Sequence, residues 1–109
     1  MPSTTLQRGN IATTVVFSVS LTPASVNATT SAEQTFTVQG LQAGDQVSAV
    51  SLNAAWTSLT GIVGFRVTAA NTLGISFQNQ TAGSLTPTAG TYVIEVNRPE
   101  FLPLPANLA

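Results

Sequence analysis

The chain has 109 residues and a formal net charge of -1, and charged side chains make up only 6% of it, against roughly a quarter in an average soluble domain. They are Arg8, Arg66, Arg98, Glu33, Asp45, Glu95 and Glu100, with no Lys, His or Cys. That inventory excludes a thiol nucleophile, a Ser-His-Asp triad, a disulfide and the usual zinc or iron ligand sets, so neither catalysis nor a cofactor or metal is expected.

Three Arg cannot build the basic face that neutralises phosphates, so neither nucleic acid nor an anionic membrane surface is expected as a partner. No apolar run approaches the roughly 18 residues that cross a bilayer as a helix, and a soluble single domain is expected. Its surface must come from 17 Thr, 10 Ser, 7 Asn and 7 Gln. Such a neutral exterior suits burial against other protein better than solitary life in solution, where net charge supports solubility.

Along the chain the dominant period is two. Ile11, Thr13, Val15, Phe17, Val19 and Leu21 alternate with Ala12, Thr14, Val16, Ser18 and Ser20, which predicts a long strand with one apolar face. The pattern resembles a signal peptide's apolar region in position only, because its interruption by Thr and Ser is that of a strand. Phe36 and Val38 repeat the alternation up to a turn at Gly40 to Asp45, whose two glycines can take positive φ. Val47 to Leu52 is extended again. Val63, Phe65 and Val67 then share one face, with Ile62, Gly64 and Arg66 on the other. Ala69-Ala70-Asn71-Thr72 reads as a tight hairpin connection into Leu73, Ile75 and Phe77. After a loop from Gly83 to Gly90, Tyr92, Ile94 and Val96 point inward on a last strand, with Thr91, Val93, Glu95 and Asn97 outward.

Six or more short strands rich in Thr, Val, Ile and Phe, with no capped stretch of helical period, predict an all-β antiparallel β-sandwich, jelly-roll-like, over residues 11–98. The expected core is Val15, Phe17, Val19, Phe36, Val38, Val63, Phe65, Val67, Leu73, Ile75, Phe77, Tyr92, Ile94 and Val96. Residues 1–10 form a polar N-terminal arm, and residues 99–109 a C-terminal arm whose three prolines deny it ladder hydrogen bonds. A domain this small has little spare surface for two arms, so their exchange between subunits is expected. Leu6 and Arg8 of the first arm, and Phe101, Leu102, Leu104 and Leu108 of the second, are therefore candidate intersubunit or capsid contacts. Trp56 and Leu59, in the apolar loop from Asn53 to Thr60, join them, although Trp56 reads first as a cap on the sandwich core. Arg66 and Glu95 complete the set as outward charges that could pair across a sheet or between subunits.

Other motifs dissolve on inspection. Asn27-Ala28-Thr29 and Asn79-Gln80-Thr81 fit the glycosylation pattern, but seven Asn in a chain this rich in Thr and Ser give about two matches by chance. Gly61-Ile62-Val63-Gly64 lies among strands, not between the helices of a KH fold. The four carboxylates are scattered, without the second acid or aromatic platform a glycosidase cleft needs.

The order of short motifs from Thr35 onward is more specific. Val38-Gln39-Gly40-Leu41-Gln42-Ala43-Gly44-Asp45-Gln46-Val47, Gly64-Phe65-Arg66-Val67-Thr68-Ala69-Ala70-Asn71-Thr72-Leu73-Gly74-Ile75-Ser76-Phe77-Gln78-Asn79 and Thr81-Ala82-Gly83-Ser84-Leu85-Thr86-Pro87-Thr88-Ala89-Gly90-Thr91-Tyr92 together resemble the head decoration, or cement, proteins of tailed bacteriophages and related head-fibre domains. The likeness covers about residues 35 to 98. It implies a homotrimeric β-sandwich on the capsid exterior, made in the bacterial cytoplasm, with the major capsid protein as partner. The rival expectation is a head-fibre or tail-associated module that binds carbohydrate or another host-surface group.

Overall fold

The computed structural model describes residues 11–57 and 59–100. They form six strands: β1 (Ile11–Leu21), β2 (Ser31–Thr37), β3 (Gln46–Leu52), β4 (Thr60–Ala69), β5 (Thr72–Asn79) and β6 (Gly90–Pro99). Two three-stranded antiparallel sheets, ordered β1-β6-β3 and β2-β5-β4, pack as a β-sandwich. The chain changes sheet after β1, β2, β3 and β5, and only the β4–β5 hairpin stays within one.

The core lies between the central strands. Leu73, Ile75 and Phe77 of β5 face Tyr92, Ile94 and Val96 of β6, joined by Leu21, Val26, Val38 and Leu41. Alternation along each strand sends these side chains to one side of the pleat and the polar ones to the other. Phe36 packs its edge on Phe77 at a centroid distance of 6.4 Å, an arrangement that aromatic quadrupoles favour. The turn glycines take positive φ, 99° at Gly40 and 95° at Gly44, and Asn71 does the same in the hairpin at 58°.

Three residues expected in the core are on the surface. Val15 is 45% exposed, Val63 56% and Phe65 37%. The cause in β4 is a bulge: Ile62 faces Phe77 and Gly64 faces Ser76, leaving Val63 without a partner. One extra residue reverses the alternation, so Ile62, not Val63, packs against the core. Phe65 keeps the inward side opposite Ile75, but on an edge strand that leaves its ring half-covered. Val15 also keeps its phase, opposite Val96, yet lines an open groove with Gln39 and Gly40. β6 reaches Pro99, which pairs with Ile11, because a proline at a strand's last position withholds no donor that the ladder beyond it needs.

Beneath the core one polar side chain ties three segments together. Asn79 is buried, and its Nδ2 donates to the carbonyls of Val26 (3.0 Å), Asn27 (3.3 Å) and Gly83 (2.8 Å). Its Oδ1 accepts from the Thr81 amide and hydroxyl. The glycosylation-like match at this position is thus an internal turn whose Asn is enclosed.

Two substitutions separate these roles. Phe77→Ala is expected to lower unfolding free energy by about 3 to 5 kcal/mol through lost transfer energy and a cavity, and Phe65→Ala by much less. Equal losses in urea unfolding would show the inward face to be misassigned. Asn79→Ala strands carbonyls that the amide now satisfies, and a loss of about 1 to 3 kcal/mol is expected in the same measurement.

Candidate functional site

The inner face of β1 is covered unevenly. Phe17, Val19 and Leu21 pack on the core, but nearer the strand's start the opposite sheet gives way to the segment around Gln39 and Gly40. There, Thr13, Val15 and Phe17 of β1, Val96 and Arg98 of β6, and Gln39 and Gly40 line a groove of about 380 Å³. Its lining is mainly apolar, with polar groups from Thr13, Gln39 and Arg98.

The far wall is fixed by ionic contacts. Arg98 donates from Nε to Asp45 Oδ1 (2.9 Å) and from Nη2 to Asp45 Oδ2 and the Gly40 carbonyl (both 2.8 Å). The Asp45 side chain is 98% covered and also accepts from the Gln42 amide, which closes the turn on itself. Asn71 reaches over from the hairpin, its Oδ1 accepting from the Gly40 amide at 2.8 Å. The Arg98 hydrogen bonds are the main reason that the Asp45 carboxyl titrates below its usual range, against the opposing effect of burial. Arg98 therefore offers the groove its alkyl stem while its guanidinium is engaged behind it.

The outer face of the second sheet carries another pair. Arg66 Nε and Nη2 meet Glu33 Oε2 and Oε1, each at 2.8 Å, so the contact runs from β4 to β2 across the middle of β5. It passes over Gly74. A Cβ there would lie 2.7 Å from Glu33 Oε2 and 2.8 Å from Thr68 Cγ2, so glycine is what allows the side chains to cross. The hydrogen bond from Arg66 holds the Glu33 carboxyl below its ordinary value.

The expected contact residues are dispersed. Leu6, Arg8, Phe101, Leu102, Leu104 and Leu108 lie outside the described residues. Arg66 and Glu95 do not meet: Arg66 binds Glu33, and Glu95 accepts a 2.6 Å hydrogen bond from the Ser48 hydroxyl. Ser48 is the unpaired residue of a bulge in β3, which frees it to turn to Glu95 on β6. Trp56 stands edge-on to Tyr92 at 6.1 Å and covers that end of the core while staying partly exposed. Leu59 is exposed, with a φ of 61°. The groove residues Gln39 and Arg98, and the Asp45 that Arg98 binds, were not marked by sequence; the signal available was Asp45 closing a glycine turn and Arg98 ending a strand. Among the described residues no three His, Cys, Asp or Glu gather as a metal site, and no helix is long and apolar enough to cross a membrane.

Asp45 makes the turn sensitive to acid in a defined direction. With its folded-state pKa below the unfolded value, its contribution is fully present above the unfolded value, near pH 4, and is lost as pH falls through the folded one. The parent chain is therefore expected to melt higher than Asp45→Asn at pH 7, with the gap narrowing below about pH 4. Melting curves of both chains from pH 7 to pH 2.5 check this, and a gap that widens on acidification would contradict it.

Compared with known proteins, the chain matches no family model, no curated protein and no solved structure.

Proposed function

We propose that the protein is a non-catalytic structural component of a tailed-phage particle, a decoration protein that binds the outer surface of the head as a homotrimer and stabilises it. The observation that best supports this reading is the state of β1. It is an edge strand paired without irregularity from Thr13 to Leu21, it carries no charge or proline, and Ile11, Val15 and Val16 are exposed along it. Exposed edges of this kind are pairing sites, and soluble proteins usually blunt them with charge, proline or bulges. β1 bulges only at Ala12, near its start, and the regular uncharged run that follows fits a protein that works while covered by neighbours.

The sandwich also supplies what a clamp needs. Its two sheets share one core and hold the exposed strand rigidly, so a load on a contact at β1 passes through β6 into the whole domain. Three linked copies of a weak contact gain avidity without any strong single site.

Purified chain is expected to run in light scattering at about three times 11.2 kDa, roughly 34 kDa. Fluorescently labelled chain added to phage particles stripped of it is expected to coat the heads and raise the temperature at which they release DNA. Labelling of tails or of host cells instead of heads would favour the fibre or host-binding alternative.

A further inference from the structure

We infer that the outer edge of β1 pairs antiparallel with the β1 edge of a second copy about a two-fold axis at Val16, joining two sheets into one, ordered β3-β6-β1-β1-β6-β3. The inference goes beyond the decoration reading. An isologous contact is two-fold, so it joins copies that belong to different trimers and builds no trimer itself.

The direction of the free backbone groups follows from the strands behind the edge. The Asn53 amide donates to the Thr91 carbonyl at 3.1 Å, on the β3 side of β6. Alternation along β6 then turns the amides and carbonyls of Tyr92, Ile94, Val96 and Arg98 toward β1, where they meet Val19, Phe17, Val15 and Thr13. The intervening residues Thr14, Val16, Ser18 and Ser20 aim theirs away from the sandwich, and no described residue pairs with that side of the strand. Free donors and acceptors at every second residue are what another strand satisfies.

The strand in this chain that suits the edge is β1 itself. It carries no charged side chain, so two copies meet without like-charge opposition, whereas β2 and β4 carry Glu33 and Arg66, and β3 and β4 bulge within their lengths. An axis at Val16 sets that side chain, 60% exposed, against its own copy, and Thr14 against Ser18 of the second copy, hydroxyl to hydroxyl. Both are pairs of residues whose free backbone groups face each other. On the inner face Val15, 45% exposed, comes opposite Phe17 of the second copy. Moving the axis by one residue either way would set Val16 against Thr14 or Ser18 and lose the match. One strand pair is small beside the roughly 1,200 Å² at which stable complexes begin, so the contact is weak, forms where copies are crowded, and leaves a dilute trimer intact.

The chain has no cysteine, so a single introduced one reports only contact between copies. Residues opposite each other in a hydrogen-bonded pair stand about 5.5 Å apart at Cα, within disulfide reach. Concentrated Val16→Cys chain, oxidised and run on a denaturing gel without reductant, is expected to give a two-chain band of about 22 kDa, twice 11.2 kDa, well above that of the exposed loop control Ser84→Cys. Thr14→Cys and Ser18→Cys are each expected to stay single chains alone and to link when mixed, because antiparallel order sets one against the other. Adding Val16→Pro to both is expected to remove that link while strand-type circular dichroism persists, since the proline takes away an outward donor and no bond to β6. The inference is overturned if Val16→Cys links no more than Ser84→Cys, the result expected were the edge reserved for a different protein. It is equally overturned if Thr14→Cys links to itself as readily as to Ser18→Cys, the mark of parallel pairing, or if the link survives Val16→Pro. Failure of labelled chain to coat phage heads would instead remove the decoration reading and leave these results standing.

Discussion

Strands β5 and β6 are each paired on both sides, and their inner faces meet as Leu73, Ile75 and Phe77 against Tyr92, Ile94 and Val96. All six side chains are nearly inaccessible to water, so this contact is where hydrophobic burial is concentrated. The consequence of building each sheet around one central strand is that the other four strands are all edges. Each departs somewhere from a flat edge. β3 bulges at Ser48, β4 at Val63 and Thr68, and β1 at Ala12, while Gln34 of β2 turns its amide onto the backbone of Ala24. Beyond Ala12, β1 is regular from Thr13 to Leu21, and that long run without a charged side chain sets it apart as the strand on which a neighbour can build.

The shortage of charge acts in the same direction. Arg66 and Arg98 are committed to Glu33 and Asp45, one pair bracing the outer face of a sheet and the other locking a turn against the groove. What remains for the outside is largely hydroxyl and amide, which hydrogen-bond to water or to protein with little preference. Such a surface lacks the like-charge repulsion that keeps soluble monomers apart, and contacts between copies meet little electrostatic resistance.

How far the sequence could be read follows from what each feature depends on. The limits of β1 coincide with its alternation, and from Thr13 onward its pairing with β6 keeps one phase, after a one-residue slip at Ala12 that the pattern does not show. The turn at Gly40 to Asp45 and the hairpin at Asn71 were legible because positive φ restricts residue choice. β2 begins at Ser31, ahead of the alternation at Phe36 and Val38, since Ser31-Ala32-Glu33-Gln34 has no apolar rhythm and is drawn into the sheet by pairing with β5. The Val63 bulge was invisible, because an inserted residue shifts the phase without altering composition. Arg66 meeting Glu33 across Gly74 depends on β2 and β4 flanking the same strand, a matter of topology that no local pattern encodes.

Val15 illustrates the remaining gap between face and cover. Period two says which side of the sheet a residue occupies, and Val15 occupies the side read for it; whether anything lies opposite depends on how far the second sheet extends. Here the second sheet stops short, and Gln39 and Gly40 form the far wall of a groove. The inner side of β1 at Val15 and the strand's outer backbone edge are therefore both open, on opposite sides of the same few residues, and the β5–β6 core behind the strand holds the two surfaces in fixed relation.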